Sequence, residues 1–371
     1  MSELHVVVVG LGAVGSAAAW RLAAAGHRVT GLDRWHPPHA HGSTHGDTRV
    51  TRISAWEGPQ YVPLVQRANV LLSELASETG TTLGTPTGGI FIGRADDLIV
   101  AGSRASAEAA GVPYEMIAPA EIERRVPGFV ATESMVGFVD PGAGVLFPER
   151  IVEAMHAAAR SRGAELRYDE PMLSWRADGT GVRVTTARGD IVADRLVLAA
   201  GAWMPEPMRA LGVDLRIERQ TILWFDASRA PSADASRPVL IVNDESGYAT
   251  VIFPTKDGLV KAAGHGHGAS VTPESVDRTI HESDIAPAAA ALTRAFPARY
   301  GAHRRGATCL YTCTPDGHFI IDRHTAYPQV VFATPCNGFG FKFSSAVGEG
   351  IAALATGAHE PVSLDPWQLR L

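Results

Sequence analysis

The sequence predicts an α/β protein with two domains, one built on a parallel sheet and the other on a mixed sheet. The length of 371 residues exceeds that of one ordinary domain, which has roughly 100–200 residues. The first 33 residues alternate strand, helix and strand, and residues 215–264 contain four strand-like runs with little helix between them. Hydrophobic residues make up 46% of the chain and charged residues 19%, which is typical of a folded globular protein.

Charge and cysteine content exclude several classes of function. The net charge is −6, so the chain has no excess of positive charge to bind a nucleic-acid backbone. Its three cysteines, an odd number near the end of the chain, do not form the framework of a disulfide-rich secreted protein. The first residues lack the basic cluster of a signal peptide, and glycines interrupt the apolar stretch that follows. We therefore expect a cytoplasmic protein without a targeting segment, a membrane span or a nucleic-acid partner.

The amino-terminal strand–helix–strand pattern carries a nucleotide-binding fingerprint. Strand residues 5–9 lead into Gly10, Gly12 and Gly15, spaced as G-x-G-x-x-G at the start of a helix over 13–25. The glycines permit a tight turn and close approach of a pyrophosphate to the helix N-terminus. This context predicts a Rossmann-type dinucleotide domain, against the alternative of a glycine turn that only packs helix on strand.

An acidic residue completes the fingerprint but does not identify the dinucleotide. Asp33 ends the strand over 28–33 and is placed to accept hydrogen bonds from a ribose 2′-hydroxyl. Asp33 argues against an added 2′-phosphate, whereas the adjacent Arg34 weakens that argument. The motif is common to NAD and FAD proteins, so both remain open at this point.

The remaining pattern predicts interleaved domains. Residues 1–85, 140–213 and 305–371 are expected to form the first domain, and residues 86–139 and 214–304 the second. Helices are predicted over 61–78, 98–110, 120–125, 149–162, 273–296 and 343–354. The tail, with strands over 307–312, 318–322 and 330–333, is expected to pack back on the first domain.

Three segments together resemble one enzyme family. They are the histidine-rich segment 36–52 (HPPHAHGSTHGDTRVTR), the segment 306–312 (GATCLYT) and the segment 338–345 (GFGFKFSS). In content and spacing they are similar to the monomeric sarcosine oxidase and N-methyltryptophan oxidase family of flavoproteins. The resemblance runs from the first strand to the final helix, and it implies FAD, an amino acid substrate, O₂ as acceptor and a monomeric enzyme.

The resemblance also implies roles for individual residues. It places the ADP half of FAD on Gly10, Gly12, Gly15 and Asp33, and joins the flavin covalently to Cys309. Arg52 and Lys342 match the pair of cations that holds the substrate carboxylate, and Lys261 matches a lysine that assists O₂ reduction. It implies catalytic roles for Arg49 and His265 beside Lys261, and it places Phe339 and Val251 in the substrate pocket. The other cofactor-binding positions are Arg34, Ser43, His45, Thr48, Gly338 and Gly340.

The sequence departs from the family at the amine pocket. Phe339 stands where a histidine is usual, and Thr250 and Val251 stand where paired tyrosines are usual. These changes replace polar groups with apolar surface, which favours a cyclic or bulky secondary amino acid over sarcosine. We therefore expect oxidation of a secondary α-amino acid at its C–N bond to an imine, with O₂ reduced to H₂O₂.

Other interpretations remain. An FAD dehydrogenase with another electron acceptor, an NAD-dependent dehydrogenase and a non-catalytic nucleotide-binding protein all fit the first fingerprint. By residue type alone, Cys309 would suit a buried core thiol better than a flavin link, and only the family resemblance reverses that preference. The basic residues could equally be surface charges. Neither the Cys309–Cys313 pair nor the histidines of segment 36–52 have convincing metal-ligand spacing, so no metal is expected.

Overall fold

Two large β-sheets organise the computed structural model, which describes residues 3–244, 246–266 and 268–369. Positions 1, 2, 370 and 371 of the predicted first domain lie outside the described residues. So do positions 245 and 267 of the predicted second domain.

Eight α-helices and 21 strands are present in these ranges. The helices are α1 (Ala13–Ala24), α2 (Tyr61–Thr79), α3 (Ser103–Ala110), α4 (Pro119–Arg125), α5 (Pro148–Ser161), α6 (Pro205–Arg209), α7 (Glu282–Ala295) and α8 (Ser344–Thr356). The strands are β1 (His5–Val9), β2 (Arg28–Leu32), β3 (Arg49–Thr51), β4 (Gly84–Thr85), β5 (Gly89–Arg94), β6 (Glu115–Ile117), β7 (Met135–Asp140), β8 (Gly144–Leu146), β9 (Glu165–Arg167), β10 (Met172–Asp178), β11 (Gly181–Thr186), β12 (Gly189–Ala193), β13 (Arg195–Leu198), β14 (Arg216–Asp226), β15 (Val239–Asn243), β16 (Ala249–Ile252), β17 (Leu259–Gly264), β18 (Ala269–Val271), β19 (His303–Cys313), β20 (Ile321–Arg323) and β21 (Val330–Ala333).

The first sheet carries the glycine fingerprint. Its strand order is β20-β21-β13-β1-β2-β9, and β1 pairs in parallel with both β2 and β13. Val6 and Val8 belong to the core on one face, and Val7 and Val9 to the core on the other. A strand buried on both faces explains the unbroken valine run. Helix α1 packs between α5 and α8 on one face of this sheet, which confirms the predicted Rossmann-type unit.

The second sheet has nine strands, eight of them in the order β18-β14-β17-β16-β15-β5-β7-β6. The ninth strand, β19, runs antiparallel to β14 along nearly its whole length. The expectation that the strand over 307–312 packs back on the first domain is therefore wrong, because its backbone hydrogen bonds go to this second sheet. The sheet carries Cys309 on β19 and Lys261 on β17. The domain boundaries themselves stay a prediction.

Helix α7 is shorter than the predicted helix over 273–296. It starts at Glu282 because His281 and Asp284 form a capping box, with the Asp284 carboxylate accepting from the His281 backbone N–H at 2.9 Å. Upstream, Arg219 donates to the carbonyl oxygens of Asp277 and Thr279, both at 2.7 Å, and holds that segment as an irregular strap. Apolar periodicity alone did not reveal these polar restraints. Among the described residues, no helix combines the length and apolarity needed to cross a membrane.

Candidate active site

The glycine turn between β1 and α1 leaves its backbone open to a long cavity. Gly10 has a φ of +89°, and a Cβ there would lie 2.7 Å from the carbonyl oxygen of Ala199. A Cβ at Gly15 would lie 1.8 Å from the carbonyl oxygen of Gly10, so the turn requires glycine at both positions. Helix α1 begins at Ala13, and its N-cap residue Gly12 has no side chain that could cap the first turn. The Ala13 N–H donates to the Thr44 hydroxyl at 3.3 Å, and the positive end of the helix beside it suits a pyrophosphate.

Asp33 lies buried beside this turn, as the fingerprint predicts. Its carboxylate accepts hydrogen bonds from the backbone N–H groups of Leu11 at 2.7 Å and Trp35 at 2.9 Å. These bonds fix the carboxylate in the wall of the long cavity, where a ribose would meet it. Arg34 points to the rim, and its guanidinium lies 4.0 Å from Glu274.

Two cavities meet between the sheets. The long cavity, about 610 Å³, runs from Gly10 and Asp33 past Trp203. The small cavity, about 140 Å³, contains Arg52 and Lys261. Four residues line both: Ser43, Cys336, Gly340 and Phe341. The glycine cradle, the helix N-terminus and the connected cavities fit an extended dinucleotide with its nucleotide end at α1 and its reactive end near the small cavity.

Cys309 lies on β19 in the wall of the small cavity. Its side chain is buried, with Sγ 3.8 Å from the carbonyl oxygen of Ser43 and 3.9 Å from a guanidinium nitrogen of Arg49. The thiol therefore faces the junction of the two cavities rather than a hydrocarbon core. Cys336 also lies at that junction, where burial raises the pKa of its thiol. All three cysteines are free thiols.

Lys261 reaches from β17 into the loop before β3. Its Nζ donates to the carbonyl oxygens of Gly46 at 2.8 Å and Thr48 at 2.6 Å, and to the Thr48 hydroxyl at 3.1 Å. Burial, with the nearby Arg49, holds the pKa of Lys261 well below its usual range. A buried amine fixed by three acceptors places a localised positive charge beside the small cavity when it is protonated.

Arg49 and His45 occupy the same loop. Arg49 donates to the carbonyl oxygens of Thr48 and Ser43, both at 2.8 Å. The His45 ring is buried, and burial together with the charges of Arg49 and Lys261 lowers its pKa to about 4. The imidazole is therefore neutral at physiological pH. Of the predicted residues in segment 36–52, Ser43 lines both cavities and Arg49 and Arg52 line the small cavity, whereas His45 and Thr48 line neither.

Arg52 and Lys342 are both buried in the small cavity, as the carboxylate hypothesis requires. Arg52 donates to the carbonyl oxygen of Ser54 at 3.0 Å and is ion-paired with Glu57. Lys342 donates to the carbonyl oxygen of Phe339 at 3.0 Å, and its Nζ lies 4.0 Å from Glu57. Burial and Arg52 hold the pKa of Lys342 well below its usual range. Two buried cations with one carboxylate between them leave a positive balance that suits an anionic ligand.

Glu57 is a site residue that the sequence reasoning missed. Burial alone would raise the pKa of Glu57, but Arg52 and Lys342 together outweigh burial and lower it. The carboxylate is thus ionised and bound to both cations. The sequence signal that could have revealed Glu57 is its position, five residues after Arg52 in the same short loop.

The rest of the wall of the small cavity contains both polar and apolar side chains. His265 and Val251 line it from the second sheet, and the Tyr311 hydroxyl lies 3.4 Å from Nδ1 of His265. Tyr311 was also missed, although it follows Cys309 by two residues and so shares its face of β19. A Cβ at Gly338 would lie 2.4 Å from the Tyr311 ring, so this glycine permits close packing at the mouth of the cavity.

Phe339 contributes to the wall but is anchored in the core. Its ring stacks on Phe319 with a centroid distance of 5.1 Å and meets Tyr61 edge-on at 5.6 Å. Gly340 is required beside it because a Cβ there would lie 1.6 Å from the carbonyl oxygen of Pro335. The phenyl ring therefore presents a fixed apolar surface.

Within the described ranges, no group of three or more His, Cys, Asp or Glu side chains is arranged to hold a metal ion. The sheet, the glycine cradle and the joined cavities instead define a dinucleotide-dependent oxidoreductase. The chain belongs to the FAD-dependent oxidoreductase family, whose profile matches residues 5–354. This membership decides between NAD and FAD, which the fingerprint had left open, in favour of FAD.

Known relatives agree with the family resemblance found in the sequence. The chain is 41% identical to a monomeric sarcosine oxidase from Streptomyces avermitilis, covering 98% of this chain and 97% of that protein. It is 29% identical to an N-methyl-L-tryptophan oxidase from Yersinia pestis, covering 99% of both. The fold is similar to that of NikD, an unusual amino acid oxidase, with a TM-score of 0.88 at 23% identity, covering 100% of this chain and 98% of the other.

Proposed function

We propose that this protein is a flavoprotein oxidase of secondary or cyclic α-amino acids. The observation that carries the proposal is the buried pair of Arg52 and Lys342 in a cavity that opens into the predicted flavin end of the cofactor site. Two fixed cations orient a carboxylate and leave the adjacent C–N bond directed toward the cavity junction. The sarcosine oxidase and N-methyltryptophan oxidase relatives support the same substrate class.

FAD, when bound, would supply the redox chemistry: the CH–NH unit of the substrate loses two electrons and two protons to become an imine, and these reduce O₂ to H₂O₂. The protein binds and orients the substrate. Glu57 offsets one of the two cationic charges, and Lys261 supplies a further positive charge near the flavin end. Among the described residues, no side chain is placed as an obvious general base, so the substrate is expected to react as its neutral amine.

We further propose that Cys309 holds the flavin covalently and that the enzyme is a monomer. The Cys309 thiol faces the cavity junction beside Arg49 and Ser43, which is where the reactive end of the dinucleotide would lie. Acid precipitation should leave the yellow colour in the protein pellet, and Cys309→Ser should release it. Cys313→Ser, on the same strand, is the matched control and should retain the colour. Colour in the supernatant of the unchanged protein would refute the covalent link.

Oxygen consumption during turnover distinguishes an oxidase from a dehydrogenase that uses another electron acceptor. With N-methyl amino acids in air, the purified protein should consume O₂ and form H₂O₂ in equal amounts. Anaerobic bleaching of the flavin by substrate, followed by reoxidation only with an artificial dye, would identify a dehydrogenase instead. A purified protein without a flavin spectrum would overturn the proposal altogether.

A further inference from the structure

Trp56 covers one face of the predicted carboxylate-binding arginine. The guanidinium carbon of Arg52 lies 3.4 Å from the centroid of the Trp56 ring, and Trp56 itself lines the small cavity. The indole covers one face of the Arg52 guanidinium. The N–H groups at the edge of the guanidinium donate to the Ser54 carbonyl oxygen and the Glu57 carboxylate. A carboxylate that reaches Arg52 must therefore arrive beside the indole.

The loop that carries Trp56 is held firmly. Both carboxylate oxygens of the buried Asp140 are engaged by backbone N–H groups. One accepts from Ile53 and Ser54 at 2.9 Å each, and the other from Gly142 at 2.9 Å. The buried Ser106 hydroxyl donates to the carbonyl oxygen of Ala55. The three residues that precede Trp56 are thus fixed in place, and they position its backbone.

A π-helical turn packs against the backbone of Trp56. Residues Leu98–Gly102 wind as a π-helix before α3, and a Cβ at Gly102 would lie 2.8 Å from the carbonyl oxygen of Trp56. The same turn places Ile99 in the wall of the small cavity, while Leu98 points outward with 68% of its surface exposed. Such turns recur at functional sites because they redirect single side chains. The backbone of Trp56 is therefore packed tightly against this turn.

We propose that Trp56 is a specificity-determining residue that limits the size of the substituent on the substrate's α-carbon. The α-carbon is one bond from the carboxylate, so its substituent is the part of the substrate closest to the groups that flank Arg52. Trp56 makes edge contacts with Phe91 at 6.1 Å and His265 at 6.4 Å, and these rings restrict its movement sideways. The indole, which lines this end of a cavity of about 140 Å³ beside Arg52, sets the limit.

This inference rests on the proposed function, and the test separates the two. The activity arm compares kcat/KM for N-methylglycine, N-methylalanine, N-methylleucine and N-methyltryptophan in the unchanged enzyme, Trp56→Phe and Trp56→Ala. Trp56→Ala should raise the ratio of N-methylleucine to N-methylglycine by about tenfold or more, the scale on which pockets discriminate by hydrocarbon size. Trp56→Phe, which retains an aromatic ring on Arg52, should give a smaller rise.

The binding arm needs no turnover. Acetate, cyclopropanecarboxylate and cyclohexanecarboxylate are titrated against the flavin spectrum of the same holoenzymes. Trp56→Ala should strengthen binding of the cyclohexane acid relative to acetate, whereas a merely structural role would weaken all three acids in proportion. Leu98→Ala, an exposed neighbour outside the cavity wall, is the control and should preserve the ratios.

The outcomes are distinct. If no amine is oxidised but the size order of the carboxylates changes in Trp56→Ala, the proposed function fails while the role of Trp56 stands. If amines are oxidised and Trp56→Ala leaves both ratios unchanged, the role of Trp56 is refuted. If Trp56→Ala does not fold, unchanged ratios in Trp56→Phe likewise refute it, and a rise supports it.

Discussion

Replacing Lys261 by methionine should separate the two halves of the catalytic cycle. The lysine lies buried beside the predicted flavin end, and a fixed positive charge there lowers the cost of placing an electron on O₂. Losing one such preorganised charge typically slows a step by about 10²–10³-fold. Reoxidation of the reduced enzyme should therefore slow by about that factor in Lys261→Met, while reduction by substrate changes little.

The same variant should lose some stability, for a reason visible in the hydrogen bonds. Nζ donates to the carbonyl oxygens of Gly46 and Thr48, but the Gly46 oxygen also accepts from the Thr48 N–H at 2.7 Å and the Thr48 oxygen also accepts from Arg49 at 2.8 Å. Both carbonyls therefore keep one donor, and the variant loses only the charged hydrogen bonds from Nζ, each of which contributes about 1.5–3 kcal/mol to the free energy of unfolding. Such a loss shifts the melting temperature without preventing folding.

The pH dependence has a definite sign. Because the pKa of Lys261 is held below its usual range, its charge is present at low pH and is lost as pH rises through that lowered pKa. Reoxidation in the unchanged enzyme should therefore be fastest at the acidic end and fall on the alkaline side, whereas the methionine variant should not show this fall.

Stopped-flow absorbance measures both half-reactions, first by anaerobic mixing with substrate and then by mixing the reduced enzyme with O₂. Lys342→Met, an equally buried lysine in the same cavity, is the matched control and should weaken substrate binding in the first half-reaction instead. Equal slowing of both half-reactions in Lys261→Met would refute the assignment.

Three further predictions concern the same site. Arg52→Ala should weaken the binding of acetate, followed by the flavin spectrum, by the roughly 1.5–3 kcal/mol of a charged hydrogen bond; equal turnover of amines that lack a carboxylate would contradict this. Phe339→His should change the order of kcat/KM among sarcosine, N-methyl-leucine, proline and pipecolate. If sarcosine is the best substrate of the unchanged enzyme, the argument for an apolar amine pocket fails. Gly15→Ala should yield colourless protein, because its Cβ would lie 1.8 Å from the carbonyl oxygen of Gly10; normal flavin content would show that the turn tolerates a side chain.

Short sequence patterns predicted the parts of the protein that are formed by residues close together in the chain. The valine strand, the glycine turn and Asp33 lie within the first 33 residues, so their spacing determines the nucleotide-binding unit. The family resemblance added FAD and the residues of the small cavity, because its motifs are continuous segments. The helix over 273–296 shows the limit of periodicity: polar bonds from the distant Arg219 shorten it.

Only the tertiary structure decided which distant residues meet. Strand β19 pairs with β14 rather than with the first sheet, and this pairing brings Cys309 to the junction of the two cavities. Glu57 and Trp56 look like ordinary loop residues in the sequence, yet folding buries one between two cations and stacks the other on Arg52. The sequence by itself determined the local backbone and the chemical types available. Contacts across long separations depend on how the sheets pack, which no short pattern encodes.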